Sequence, residues 1–487
     1  MNNLFRNIAS MALLATALFA SCQSDETFTA DPRYTLNLSH DTVSVDTVLV
    51  SIKSTDREFR IYNPNKVGIR LIAQLAGGSN SCFSMNIDGR NSHSINDLEI
   101  LPGDSLFGFI NIQPRPADIQ AGNSLTLLRD SILLTMESGN TCVIQLNATV
   151  RNAIFLKNHS ITANTVFTAE LPYVIYDTLH VASGTVLTIN PGTTLLFHDG
   201  AGMSVQGTVK ACGTRDSMVN FRTDRLDRLF SNLPYDLLSG QWNGIDLSQE
   251  SSGNIFDFCN IHGAKHGIKA DSTGTESMKF RLTNSIIHNI EGTAIQASDC
   301  RISVSNSQIT NSKQYCIDLY GGIADFTFCT LANCYLWSGN SGGVIVSDHR
   351  EDGAQQPAQA TFNSCILTAS GAWGLTANLT STDPAVPEDG QSSCTVSNSL
   401  VLMQDTTTVI SVNTIFEDIT SGHYGAANFK ARPENSYLSV FRLDSISAAR
   451  GIAHIPSAAE WPVDLAGTAR PLLQKADAGC YQFTEEQ

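Results

Sequence analysis

Between Phe258 and Val401 one short phrase recurs six times: FCNI, NSII, NSQI, FCTL, SCIL and NSLV. Its aligned Ser or Cys residues are Cys259, Ser285, Ser307, Cys329, Cys365 and Ser399, which gives spacings of 26, 22, 22, 36 and 34. A period just over 20, with two longer intervals that read as loop insertions, predicts a solenoid. In such a fold a repeat cannot bury its apolar face alone and must stack on its neighbours. The repeated Ser and Cys are expected to be small buried stacking residues, since an unpaired cysteine packs as a small hydrophobe.

From Tyr173 the chain consists of Gly-punctuated strands. The run GTVLTINPGTTLLFHDGAGMSVQGTVKACGT gives two successive rungs with alternating inward aliphatics, and glycines 184, 192, 200, 202, 207 and 213 mark corners. This string, above all NPGTT followed by GxMxVxGT, resembles the opening coils of right-handed parallel β-helix proteins. Gln241-Trp242-Asn243-Gly244-Ile245 resembles the same family. Each ladder copy is followed by a second strand (HGIKA, GTAIQA, YCIDL, GGVIVS, WGLTANL, TVISV), with a third near KFRLT or DFTF. The expectation is three short parallel sheets around a narrow core over 153–428. Residues 222–241 interrupt the rhythm as a loop. The tail, with Asp464, Gly467, Arg470-Pro471 and Asp477-Ala478-Gly479-Cys480-Tyr481, resembles the ending of bacterial β-helix proteins. Residues 429–487 are therefore expected to cap the solenoid's open end.

The first third differs. From 34 to 152, short alternating apolar runs such as TVLVSI, LFGFINI and CVIQLNATV are separated by turn formers, including Asn63-Pro64-Asn65, Asp88-Gly89 and Pro102-Gly103. That pattern predicts a β-sandwich. Asp46-Thr47-Val48, Tyr62-Asn63-Pro64, Asn86-Ile87-Asp88-Gly89 and Asp104-Ser105-Leu106-Phe107 resemble the immunoglobulin-like domain at the N-terminus of many Bacteroidetes surface lipoproteins, which implies a spacer or partner-binding module. Ahead of it, Arg6, the apolar run Met11–Ala20 and the small residues before Cys22 read as an export signal over 1–21. LFASC resembles a lipobox, with Phe19 where Leu is preferred. The resemblance implies cleavage before Cys22, lipidation of its sulfur and anchoring in the outer membrane. Ser24-Asp25-Glu26 is similar to the acidic tag that directs such lipoproteins to the cell exterior. Residues 22–33 are then a tether.

Net charge is −16, and no cluster of five Lys or Arg occurs, which argues against nucleic acid and against anionic lipid as the main partner. Removing Cys22 leaves 11 of 12 cysteines, and no C-x-x-C occurs. A zinc knuckle or thioredoxin-like site is thus not indicated. Cys82 and Cys142 are the candidates for a bridge within the first domain.

Extracellular β-helices include polysaccharide lyases and hydrolases. A lyase needs a base and a cation or Arg/Lys at the uronate; an inverting hydrolase needs two carboxylates roughly 6.5–9.5 Å apart. The titratable candidates are Asp257, His262, Lys265, His266, Arg281, His288, Asp299, Arg301, Asp318, Asp325 and the cluster Asp348-His349-Arg350-Glu351-Asp352. None falls in a recognisable lyase or polygalacturonase motif. Gly-x-x-x-x-Gly-Lys-Ser/Thr and Gly-x-Ser-x-Gly are absent as well. Aromatic rings stack on sugar faces, which singles out Trp242, Tyr315, Tyr320, Trp337 and Trp373 as ligand-binding candidates, joined by Asp348. The sequence thus predicts an all-β, lipid-anchored surface protein. Its β-helix would bind an extracellular polysaccharide, or else a surface protein, without catalysis and without a cofactor. The alternatives are a polysaccharide lyase or glycoside hydrolase, with calcium if a lyase, and a purely structural adhesion module.

Overall fold

Each copy of the repeated phrase opens on a residue in the left-handed region. Phe258, Asn284, Asn306, Phe328, Ser364 and Asn398 have φ between 48° and 55°. Asparagine tolerates that conformation best; for phenylalanine it is strained and must be held by its surroundings. Arg470 lies over the Phe328 ring at 4.1 Å and Arg215 over that of Phe258 at 5.9 Å. The next residue, the repeated Ser or Cys, is buried with its oxygen or sulfur tied to the backbone. The Ser285 hydroxyl donates to the Thr283 carbonyl (2.6 Å) and accepts from the Cys259 N–H (2.9 Å). Ser307 accepts from the Ser285 N–H, and Ser399 from that of Cys365. The predicted packing residue is therefore also a hydrogen-bonding one.

In this computed structural model, residues 27–119, 124–230, 232–380, 391–472 and 475–485 are described. The signal-like segment and Cys22 lie outside them. The left-handed corner joins two of three parallel sheets that run the length of 153–416. Sheet 1 has 11 strands, from Ile154–Lys157 to Ile415–Phe416; sheet 2 has 9, from Ser160–Ile161 to Leu375–Asn378; sheet 3 has 10, from Thr165–Phe167 to Ile410–Val412. Inward residues stack like on like. Ile261, Ile287, Ile309, Leu331, Leu367 and Val401 form one column in sheet 1. Met203, Ile245, Ile268, Ile295, Ile317, Val344 and Leu375 form another in sheet 2. Phe326 and Phe362 stack in sheet 3 at 4.8 Å. All belong to one core. Gly207 shows why glycine stands at an early corner: a Cβ there would lie 2.3 Å from the Thr185 carbonyl oxygen.

Two irregular segments cover the outer face of sheet 1. The 224–241 loop folds over its early strands as the hairpin Arg228–Phe230/Leu233–Pro234 and the 3-10 turn Tyr235–Leu237. The tail lies along the later strands. Gly479 N donates to Ser364 O, Cys480 N to Thr330 Oγ1 and Tyr481 OH to Gln308 Oε1. Arg470, 3% exposed, donates to Asn306 Oδ1 and to the carbonyls of Trp461, Val463 and Gly479. Phe429, Phe441, Leu443 and Ala478 pack on Ala332, Ile366 and Leu400. The segment expected as an end cap thus lies on the solenoid's flank: the outward residues of sheet 1 are apolar or amide-bearing here and need covering.

Residues 27–152 form a separate unit. Two five-stranded sheets share one core, with Phe59, Ile61, Phe83 and Ile110 on one and Leu71, Ile132, Leu134 and Leu146 on the other. Among the described residues the pairings are antiparallel except that of Thr42–Leu49 with Thr141–Arg151 and the isolated Phe28–Gly68 bridge, which are parallel. Cys82 borders the first sheet and Cys142 lies in the second. Neither is bonded, and all 11 described cysteines are free thiols.

Replacing Ser285 by Ala would leave the buried Cys259 N–H without a partner, at a cost of about 1–3 kcal/mol. Ser285→Cys restores the residue type found at three of the six positions and is expected to lose less than half as much. Urea denaturation of the two variants checks this; equal losses would sink the hydrogen-bonding role.

Candidate ligand-binding face

The titratable candidates do not gather in one place. His262 and His288 are consecutive on the outer face of sheet 1, their rings stacked at 4.8 Å. His262 Nε2 lies 2.8 Å from Asp236 Oδ1, which also meets Arg222 Nε at 2.9 Å. Asp236 belongs to the covering loop, and His262 is 3% exposed. The set is a clasp that holds the loop down on the sheet rather than an open site. Burial and the neighbouring His262 push His288 down to about 3. Asp257 accepts hydrogen bonds from Thr283 Oγ1 and Asn284 Nδ2 at a ladder corner, and Asp299 accepts one from Ser272. Asp325 lies in sheet 3. Among the described residues, no group of three or more His, Cys, Asp or Glu is placed to hold a metal ion.

The outer face of sheet 2 is different. One row runs Asp246, Lys269, Gln296, Asp318, Ile345, Thr376, and the next runs Ser298, Tyr320, Ser347, Asn378. The interval after Leu331, predicted to hold an insertion, contributes two. One is the 334–341 loop between sheets 1 and 2. The other is a hairpin at 348–357, between sheets 2 and 3, closed by Arg350 N to Ala354 O and the His349–Gln355 bridge. The second long interval has its insertion after Asn378. The hairpin places the Arg350 guanidinium 3.9 Å over the Tyr320 ring, with Nη2 donating to Ser298 Oγ. Asp318 accepts from Gln296 Nε2 at 3.3 Å. Burial raises its carboxyl above the usual range, opposed by Gln296 and Arg350. Tyr315 pairs with Gly342, and the Gly343 N–H donates to the Trp373 carbonyl at 2.8 Å. Past Leu375–Asn378 sheet 2 ends while sheets 1 and 3 continue. A cavity of about 250 Å³ opens there, lined by Trp373, Thr376, Asn378, Met403 and Asp405 among others.

Of the six ligand-binding candidates, Tyr320 stands on this face, Tyr315 at the start of the same strand and Trp373 at the cavity beside its last strand, each half-buried. The other three lie elsewhere. Trp242 is fully buried, stacked on Phe197 at 4.2 Å with Nε1 donating to His262 O, so it belongs to the core. Trp337 sits in the 334–341 loop, stacked on Tyr437 of the tail. Asp348 is buried and accepts from Thr380 N and Oγ1 and from His349, so it anchors the hairpin. Its position at the root of the hairpin carrying Arg350 is the feature the sequence did not reveal. Met403 and Asp405 reach the face from the next coil, with no sequence signal.

The family described as "Right handed beta helix region" matches residues 142–329. No curated protein matches the chain. Among solved structures, similarity is found to a family 123 glycoside hydrolase from Clostridium perfringens, at 10% identity over 26% of this chain and 30% of that one, TM-score 0.18. A protein of unknown function from Porphyromonas gingivalis is similar at 15% identity over 27% of this chain and 50% of that one, TM-score 0.18. The chain therefore spans half or less of these two. The catalytic domain of a GH87 alpha-1,3-glucanase in complex with tetrasaccharides is similar at 10% identity over 80% of this chain and 92% of that one, TM-score 0.26.

A half-buried histidine held neutral in the fold weakens that fold in acid. His288 stays unprotonated in the native state down to about 3, while in the unfolded chain it protonates near 6.5. Stability is then fully present above pH 6.5 and falls as pH drops toward 3, by at most about 2 kcal/mol between pH 7 and 5. His288→Gln is expected to remove most of that loss. Denaturation midpoints of both proteins at pH 7 and 5 measure it; an unchanged difference would refute the assignment.

Proposed function

We propose that this chain is a lipid-anchored outer-membrane protein, exposed to the exterior, that binds an extracellular glycan along sheet 2 of its β-helix without turning it over. In this reading Cys22 carries the lipid, 22–33 tether it, and 34–152 form an immunoglobulin-like spacer. The observation that carries the ligand assignment is Tyr320 on the outer face of sheet 2, covered by Arg350 and flanked by Asp318 and Gln296, with Tyr315 at the start of the same strand and Trp373 at the cavity where the sheet ends. Rings offer flat apolar surface to a pyranose face, while the carboxylate, amide and guanidinium take its hydroxyls.

One observation favours a catalytic reading: Asp318, with its raised carboxyl, has the character of a general acid. Its neighbours in the row are Gln296 and Ile345, so no second carboxylate stands beside it. A single acid without base or nucleophile supports binding better than hydrolysis.

Tyr320→Ala and Trp373→Ala are each expected to weaken binding of the retained saccharide about tenfold, or ~1.4 kcal/mol. Trp242→Phe should alter thermal stability and leave affinity unchanged. A glycan array followed by titration calorimetry provides the readout. Absence of any retained glycan would remove the proposal, and release of reducing or unsaturated ends by the wild type, lost in Asp318→Asn, would replace it with the enzyme.

A further inference from the structure

Sheet 2 stops short of its neighbours. Its ninth and last strand is Leu375–Asn378, whereas sheets 1 and 3 go on to Ile415–Phe416 and Ile410–Val412. In the coil beyond, the chain leaves sheet 1 at Leu400–Val401 and enters sheet 3 at Ile410–Val412, and between them it makes the 3-10 turn Thr406–Thr408 in place of a strand. Sheet 2 therefore ends in an open edge.

The ladder tells which groups that edge leaves over. Val344 N donates to the Gly374 carbonyl and Asp348 N to that of Asn378, so Gly374, Thr376 and Asn378 turn their backbone groups to the preceding strand. Leu375 and Ala377 face the other way. The Leu375 N–H is taken by the Leu402 carbonyl at 3.0 Å. That leaves the Leu375 carbonyl and both backbone groups of the buried Ala377, and among the described residues no hydrogen bond reaches them. Such groups ordinarily find a partner, and an open edge is ordinarily covered. Here the edge faces the cavity of about 250 Å³, whose lining includes Leu375, Thr376, Ala377 and Asn378.

Both outward rows of sheet 2 finish in the same cavity, one at Thr376 and the other at Asn378. Gln404, Asp405 and Thr408 line it from the next coil. A saccharide lying along the rows thus reaches it with its last ring and has no further strand to follow. The volume is below the roughly 300 Å³ at which pockets for drug-sized molecules begin, which suits one sugar ring rather than a length of chain. A hydroxyl both donates and accepts, and so matches an edge that offers acceptor, donor and acceptor in turn. A peptide added as a strand takes its specificity from pockets for alternate side chains, whereas this lining is mostly hydroxyl, amide and carboxylate. The Thr407 hydroxyl and N–H bond Asp405 Oδ1 and hold that carboxyl below its usual range. Among the described residues no Lys, Arg or His lines the cavity, so a second anion there would meet Asp405 unrelieved.

We propose that this cavity seats the terminal ring of the glycan, and that the ring is uncharged, so that the face binds chain ends rather than internal stretches. The inference rests on the reading of sheet 2 as a glycan face and adds to it the end and its charge.

Titration of the full chain with maltohexaose, xylohexaose and mannohexaose tests it, followed by the parent polymer of whichever hexaose binds. The amount of polymer bound is expected to follow the number of chain ends rather than the mass, so that partial acid hydrolysis of the polymer raises its capacity. The same hexaose is then given a carboxylate at its reducing end, as the aldonate, or at its non-reducing end, as a terminal uronate. One of the two is expected to bind at least about tenfold more weakly, which also fixes the orientation, and Asp405→Asn to recover part of the loss. Asn378→Ala, at an exposed side chain, should weaken the unmodified hexaose about tenfold. Hydrogen exchange reads the edge directly: the hexaose should slow the Ala377 amide. If no hexaose binds, the glycan reading falls and this inference with it. Binding that follows polymer mass, equal binding of both modified hexaoses, or indifference to Asn378→Ala overturns the end site and leaves the glycan face standing. A peptide from a displayed random library that slows the Ala377 amide, with no sugar doing so, would assign the edge to strand addition instead.

Discussion

The corner between sheets 3 and 1 is the constraint on which the rest of the solenoid depends. From Phe258 to Ser399 it consists of a left-handed residue followed by a buried Ser or Cys, coil after coil. So short a turn has one geometry, and the hydrogen bonds from Ser285 to Cys259 and from Ser307 to Ser285 lock each coil to the next. Side chains in a strand alternate faces, so a one-residue slip would turn the Ile287–Ile309–Leu331 column outward. The corner therefore sets the register of all three sheets.

That rigidity decides where the chain can vary. No insertion enters the ladder corner between Cys259 and Ser399 among the described residues; the added residues fall between sheets 1 and 2, at 334–341, or between sheets 2 and 3, at 348–357 and after Asn378. Sheet 2 is the sheet both of whose flanking corners are free to grow. Its outer face is accordingly the one framed by loops, with Arg350 brought over Tyr320 from one side and the Trp373 carbonyl accepting from the Gly343 N–H on the other. Sheet 1 has its outer face occupied by the 224–241 loop and the tail.

The sequence displayed the part of this that repeats. Six copies of one phrase reveal a coil, because a stacking position must be refilled at every turn, and they led to the three sheets and to the burial of Cys259, Cys329 and Cys365. What the phrase concealed was the role of its first residue: Asn signals a left-handed corner, whereas Phe258 and Phe328 suggest core. Contacts between irregular segments were also illegible. Arg470 reaching Asn306 spans 164 residues, and Asp236 meeting His262 spans 26, with no period to mark either. The same limit explains the site. Tyr320 sits on a strand whose alternation, with Asp318 two residues before it, gives its face, while Trp242 fills the core against Phe197. Composition alone does not separate the two.

The spacing of coils also bears on binding against turnover. Adjacent strands lie about 4.8 Å apart, so groups in one outward row are separated by multiples of that step. Asp246 and Asp318 share a row, with Lys269 and Gln296 between them. Three steps make their backbone separation about 14 Å, beyond the roughly 6.5–9.5 Å of an inverting pair and far beyond the ~5 Å of a retaining one. Asp246 is moreover held by His266 at 3.1 Å, while Asp318 is tied to Gln296. The fold could place two carboxylates one or two steps apart, and this chain puts an amide and an ammonium there instead. An amide and an ammonium are hydrogen-bond donors to hydroxyl oxygens, which is what the proposed saccharide face requires of this row.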